Sequence, residues 1–98
     1  MAKFFGKYRG VVTNDRDPMQ MGRIRAQVPE VFGGNESGWA MPCVPGGLSK
    51  VKGSALPKIG ARVWIEFEKG DPNLAIWTGY WFGDAAGTPA ALKKKGRG

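Results

Sequence analysis

The sequence predicts a small all-β domain, and three observations carry that prediction. The chain has 98 residues, of which 16 are glycine and 7 proline, a content that favours turns over helices. Two segments, residues 23–28 and 61–68, alternate apolar and polar residues with the two-residue period of a half-buried strand. Apolar residues make up 42% and aromatics 11%, too much for a wholly disordered chain and enough for one compact core.

Residues 4–13, "FFGKYRGVVT", read as the first strand. Tyr8, Val11 and Val12 are β-formers, and Gly6 and Gly10 allow a bulge or strong coiling. Residues 14–22 hold an asparagine, two aspartates, a proline and a closing glycine, the composition of a hairpin loop. "RIRAQVP" is the cleanest strand: Ile24, Ala26 and Val28 face a core, while Arg23, Arg25 and Gln27 face water. Pro29 ends it, and "EVFGGNES" reads as a second loop. "GWAMPCV" is a third strand, with Trp39, Met41 and Cys43 sharing one face and Pro42 indicating an edge. In that apolar strand Cys43 is expected to be an inert buried thiol.

Residues 45–60 form the longest irregular stretch, in which no helix beyond a turn or two is expected. "ARVWIEFE" then alternates again. Ala61, Val63, Ile65 and Phe67 point one way; Arg62, Trp64, Glu66 and Glu68 point the other. "KGDPN" turns the chain and "LAIWTGYWFG" returns as a fifth strand. A four-residue loop sets Leu74 and Ile76 beside Phe67 and Ile65, whereas a five-residue loop sets Ala75 and Trp77 there. The first register, with Leu74 and Ile76 inward, is the expectation. Residues 1–83 are expected to form the domain, and residues 84–98 a basic, extended or mobile tail without a core-forming pattern.

Charge and chemistry narrow the function. The formal charge is +7, but Lys93, Lys94, Lys95 and Arg97 lie in the last six residues, and without them 11 basic residues face 8 acidic ones. Most of the surplus is thus a terminal run of the kind that is usually solvated. There is no histidine, which removes Ser-His-Asp and Cys-His nucleophiles and every histidine metal site. One cysteine supports neither an intramolecular disulfide nor a cysteine zinc site. No stretch approaches a signal peptide or the roughly 20 apolar residues of a membrane span, so a soluble protein is expected. Asp15 and Asp17 sit in a turn, where aspartate bonds nearby backbone. Glu66 and Glu68 share an exposed strand face, so no acid–base constellation emerges. An enzyme is not expected.

Five short strands with a long connection between the third and fourth match the strand count of the OB-fold, a small five-stranded Greek-key barrel. Three ordered segments go further. "YRGVVTNDRDPMQMGRIRAQVPEVFG", "SGWAMPCVP" and "LPKIGARVWIEFEKGDPNLAIWTGYWFG" together resemble the OB-fold domain of central spike proteins in contractile injection machines. That family includes phage baseplate assembly protein V, the phage tail-lysozyme spike and the VgrG-type spikes of type VI secretion. Ala75 stands where the family often has proline. Large members continue into a trimeric β-helix or a lysozyme domain, so this sequence is expected to be either a minimal spike or hub protein or a fragment. The resemblance implies a structural virion component of the tail baseplate, assembled in the host cytoplasm. It implies a homotrimer joining a hub protein to a spike-tip protein, with no cofactor, no small-molecule substrate and no nucleic acid.

Trp64, on an otherwise polar strand face, is either an interface tryptophan or one that caps an open barrel end or lies under the 45–60 loop. Trp77, Tyr80, Trp81 and Phe82 cannot all face inward, so Tyr80 or Trp81 is expected at a rim or subunit contact. Lys50 and Lys52 are either solvated or in contact with a neighbouring subunit. The candidate protein-interface residues are therefore Trp64, Tyr80, Trp81, Lys50 and Lys52. Arg23 and Arg25 are expected to be solvated or paired with Glu66 or Glu68. The alternative function is a single-strand nucleic-acid-binding OB module, suggested by basic charge and aromatics together.

Overall fold

The computed structural model describes residues 2–45 and 56–93. Five strands, β1 (Tyr8–Asn14), β2 (Arg25–Gln27), β3 (Met41–Pro42), β4 (Arg62–Phe67) and β5 (Ala75–Tyr80), form one curled sheet in the order β2-β1-β4-β5-β3. β3 joins β5 in parallel, and the other neighbours are antiparallel. The sheet's two edges are laced by an isolated bridge, in which Ile24 and Ala40 exchange N–H···O bonds of 3.2 and 2.7 Å. This is the all-β OB-fold that the strand pattern predicted, and edge-to-edge lacing protects a sheet that would otherwise present open strands.

The inward faces of β2 and β4 match the sequence reading. Ile24, Ala26 and Val28 from the first segment meet Val63, Ile65 and Phe67 from the second, all buried, with Val12 between them. Four features differ from expectation. The first strand begins at Tyr8, not at residue 4. The preceding segment is tied separately, by Phe4 N–H donating to Gly70 O at 2.8 Å and by Phe4 packing on Phe67. A short helix, α1 (Pro29–Phe32), occupies part of the expected second loop. Proline at its first turn suits a helix start, and Phe32 packs edge-on to Phe67 at 5.8 Å.

The third correction concerns β3. Ala40 is the buried residue there, while Met41 and Cys43 are exposed and Trp39 is half-buried. Backbones approach closely at the Ile24–Ala40 bridge, and alanine fits that crossing. Alternation then turns its neighbours outward, so Cys43 is not a buried thiol. Pro42 lies on an edge strand, as expected.

The fourth is the β4–β5 register. Phe67 pairs with Ala75 and Ile65 with Trp77, so Ala75 and Trp77 are the inward pair and Leu74 is exposed. The turn explains this. Lys69 and Gly70 both adopt left-handed backbone, φ 53° and 76°, which accommodates a five-residue loop. Glu68 N–H then closes that loop onto Leu74 O at 3.0 Å. Trp77 also anchors the core's edge, its Nε1–H donating to Gly22 O at 2.9 Å across 55 residues of sequence. Beyond β5, residues 84–93 carry a turn held by Asp84 and a 3-10 turn at Ala90–Leu92.

Candidate functional site

The site is the outer face of β1, β4 and β5. The β1–β4 register pairs Arg9 with Trp64 and Val11 with Arg62, so these four share the face turned away from the core. β5 reaches the same face through a bulge. From Trp77 to Tyr80 it advances three residues while β4 retreats only from Ile65 to Val63. Gly79 absorbs the extra residue at φ 138°, a conformation that side chains resist. The bulge inverts the alternation beyond it. Tyr80 falls opposite inward-facing Val63, and Trp81 falls beside Arg62, donating its N–H to Arg62 O at 3.1 Å.

Trp81 consequently meets Trp64, ring centroids 6.4 Å apart and inclined by 49°. Arg9 lies over Trp81 at 4.6 Å and over Trp64 at 5.7 Å, and Arg62 lies over Trp81 at 5.1 Å. Each such contact is worth about 0.5–1 kcal/mol when exposed, and together they hold both guanidinium groups in place. The ion pairs among the described residues are Lys7–Glu66, Arg23–Asp17 and Arg25–Glu36. Arg9 and Arg62 take part in none of them.

A second arginine–tryptophan group is built differently. Trp39 lies between Arg25 at 4.8 Å and Arg23 at 5.4 Å. Both arginines are paired, but with Asp17 and Glu36, not with the expected Glu66 or Glu68. Asp17 receives Arg23 in two bonds of 2.7 and 3.0 Å, and also the backbone N–H groups of Met19, Met21 and Arg23. The Arg23 fork, helped by those amides, holds the Asp17 carboxyl well below the usual carboxylate range. Glu36 is also lowered, first by the Thr13 hydroxyl and then by Arg25. This group braces the hairpin loop, with each of its two guanidinium groups paired to a carboxylate.

Asp17 makes a prediction. Its carboxyl is depressed in the folded protein, so the stability it contributes is complete above the unfolded aspartate value of about 3.9. That contribution is lost as pH falls below it. Asp17→Asn should lower the melting temperature at pH 7 and flatten its decline between about pH 4 and 2. Thermal melts of both proteins across that range check it. Parallel curves would show that the pair is not thermodynamically linked to folding.

A family model described as the type VI secretion system/phage-baseplate injector OB domain matches residues 8–82. The chain belongs to this family. No curated protein matches it. As a baseplate injector OB domain it has a structural role in an assembly with other baseplate or spike components.

The structure of this injector domain brings Trp64 and Trp81 together, as two of the sequence candidates for contact. Tyr80, half-exposed, is turned to the other register by the bulge, and burial pushes its hydroxyl up. Lys50 and Lys52 lie outside the described residues. Arg9 was not singled out in the sequence, because its place over Trp81 depends on strand pairing. The alternation of β4 places Arg62 on the outer face and by itself gives it no role. Among the described residues no group of three or more histidine, cysteine or acidic side chains could hold a metal ion, and no helix is long and apolar enough to cross a membrane.

Proposed function

We propose that this OB domain is the central adaptor of a phage tail baseplate or related injection particle, joining a trimeric hub to the spike tip. It works as a homotrimer, is assembled in the host cytoplasm and acts as part of the virion, without catalysis of its own. The observation that supports this reading is the match to the injector OB family over residues 8–82. The outer face fits a contact role, since two tryptophans and two arginines without ion pairs among the described residues are held on paired strands. A base-stacking role is disfavoured because Arg9 and Arg62 already lie over the Trp81 ring.

Co-expression with a baseplate hub protein from the same particle, followed by multi-angle light scattering, tests the proposal. A trimer, or a complex with three copies on the hub, is the expected result. A stable monomer that ignores the hub would overturn it.

A further inference from the structure

We infer that the Arg9–Trp81–Arg62 face binds carboxylates of an acidic segment on a partner protein, gripping them edge-on with two guanidinium forks. The inference rests on the protein-contact reading above and adds the chemistry of the contact. The two arginine–tryptophan groups of this molecule make the case by contrast. In the Trp39 group, both guanidinium groups already have carboxylates, Asp17 and Glu36. In the Trp81 group, the guanidinium groups lie over the ring at similar distances, 4.6 and 5.1 Å, yet no carboxylate of the described residues is within ion-pair distance. The nearest acidic residue on that face by register is Glu66, and it is engaged by Lys7 at 3.2 Å. Arg9 and Arg62 therefore have no carboxylate partner among the described residues, although Glu66 and Asp84 flank the face.

Stacking also selects the ligand. A guanidinium lying over a ring has one plane covered, and its N–H donors project from its edge, the geometry that a carboxylate accepts in two parallel bonds. Holding the arginine against an indole removes part of the side-chain entropy that binding would otherwise cost. The Arg62 guanidinium lies against Gly83, where a Cβ would come within 2.6 Å of Nη1. Covered donors without a hydrogen-bond partner occur in both groups, Arg25 Nε beside Trp39 and Trp81 Nε1 on the outer face, so the contrast between the groups rests on the ion pairs alone. A nucleobase would have to displace an arginine from the Trp81 ring, which a carboxylate does not.

The test uses the whole chain, labelled with ¹⁵N, and a synthetic decapeptide with glutamates spaced by glycine and serine. A neutral glycine–serine decapeptide and a thymidine decamer serve as comparisons. The Trp81 indole signal, assigned by its loss in Trp81→Phe, should shift with the acidic peptide and not with the neutral one. Arg9→Gln and Arg62→Gln should each weaken that binding about tenfold or more, the value of a charge-assisted pair. Lys58→Gln should leave it unchanged. Arg9→Lys and Arg62→Lys keep the charge but not the fork, and should also weaken binding; they serve where a glutamine variant melts early. Binding untouched by the arginine changes, equal shifts at Trp39, or equal affinity for the thymidine decamer would each overturn the inference. Assembly on the hub that persists in Arg9→Gln/Arg62→Gln, with peptide binding absent in the native protein, would remove this inference and leave the adaptor role standing.

Discussion

Trp77→Ala should lower the melting temperature by about 15 °C or more and leave much of the chain unfolded at 37 °C. Removing a buried tryptophan costs about 3–5 kcal/mol, a large part of the 5–15 kcal/mol that stabilises a typical domain. In a domain of this size each kcal/mol moves the midpoint by about 4–8 °C. Trp77 is 4% exposed and touches the core between two strands that also carry Ile65 and Ala75. Its Nε1–H ties β5 to Gly22, at the end of the β1–β2 hairpin loop. Trp77→Phe separates the two contributions. It keeps most of the apolar area but leaves the Gly22 carbonyl without its partner, at about 1–3 kcal/mol. Circular dichroism melts of the three proteins check the ordering. If Leu74→Ala destabilised more than Trp77→Ala, the inward pair would be wrong.

Gly79→Val should cost about 1–3 kcal/mol and dismantle the Trp64–Trp81 contact. Valine strongly resists φ 138°, so the strand must either hold a strained residue or lose the bulge. Loss of the bulge restores strict alternation, which turns Trp81 away from Arg9 and Arg62 and brings Tyr80 to the outer face. The near-ultraviolet circular dichroism of the coupled indoles should fall, and the acidic peptide should no longer shift the Trp81 signal. A variant that keeps the native near-ultraviolet spectrum would show that Gly79 is dispensable. This substitution links a single backbone angle to the composition of the outer face.

Much of the fold was legible in the primary structure because period-two patterns report burial directly. Ile24, Ala26, Val28, Val63, Ile65 and Phe67 alternate with polar residues, and all six are buried. The turn chemistry at Asp17 and Asp71 was equally readable, since both carboxylates accept nearby backbone N–H groups. The third strand was misread because Trp39, Met41 and Cys43 are larger and more apolar than Ala40. Size alone does not reveal that the sheet's edges cross at that alanine. The β4–β5 register was misread because both faces of "LAIWTGYW" are apolar enough to be core.

The candidate site shows the same division. Trp64 stands out as an aromatic on an otherwise polar strand face, and Trp81 as one of four aromatics that cannot all face inward. Nothing local placed Arg9 with them, because Arg9 and Trp81 are brought together by two strand pairings and one bulge. The sequence by itself determined the barrel class, the inward faces of β2 and β4, the absence of histidine chemistry and the aromatic surplus, since these follow from composition and local period. Only the tertiary structure decided the last hairpin's register, the outward turn of Cys43 and the stacking of Arg9 and Arg62 on Trp81. Those depend on long-range pairing, where a one-residue bulge exchanges the two faces of a strand without changing its pattern.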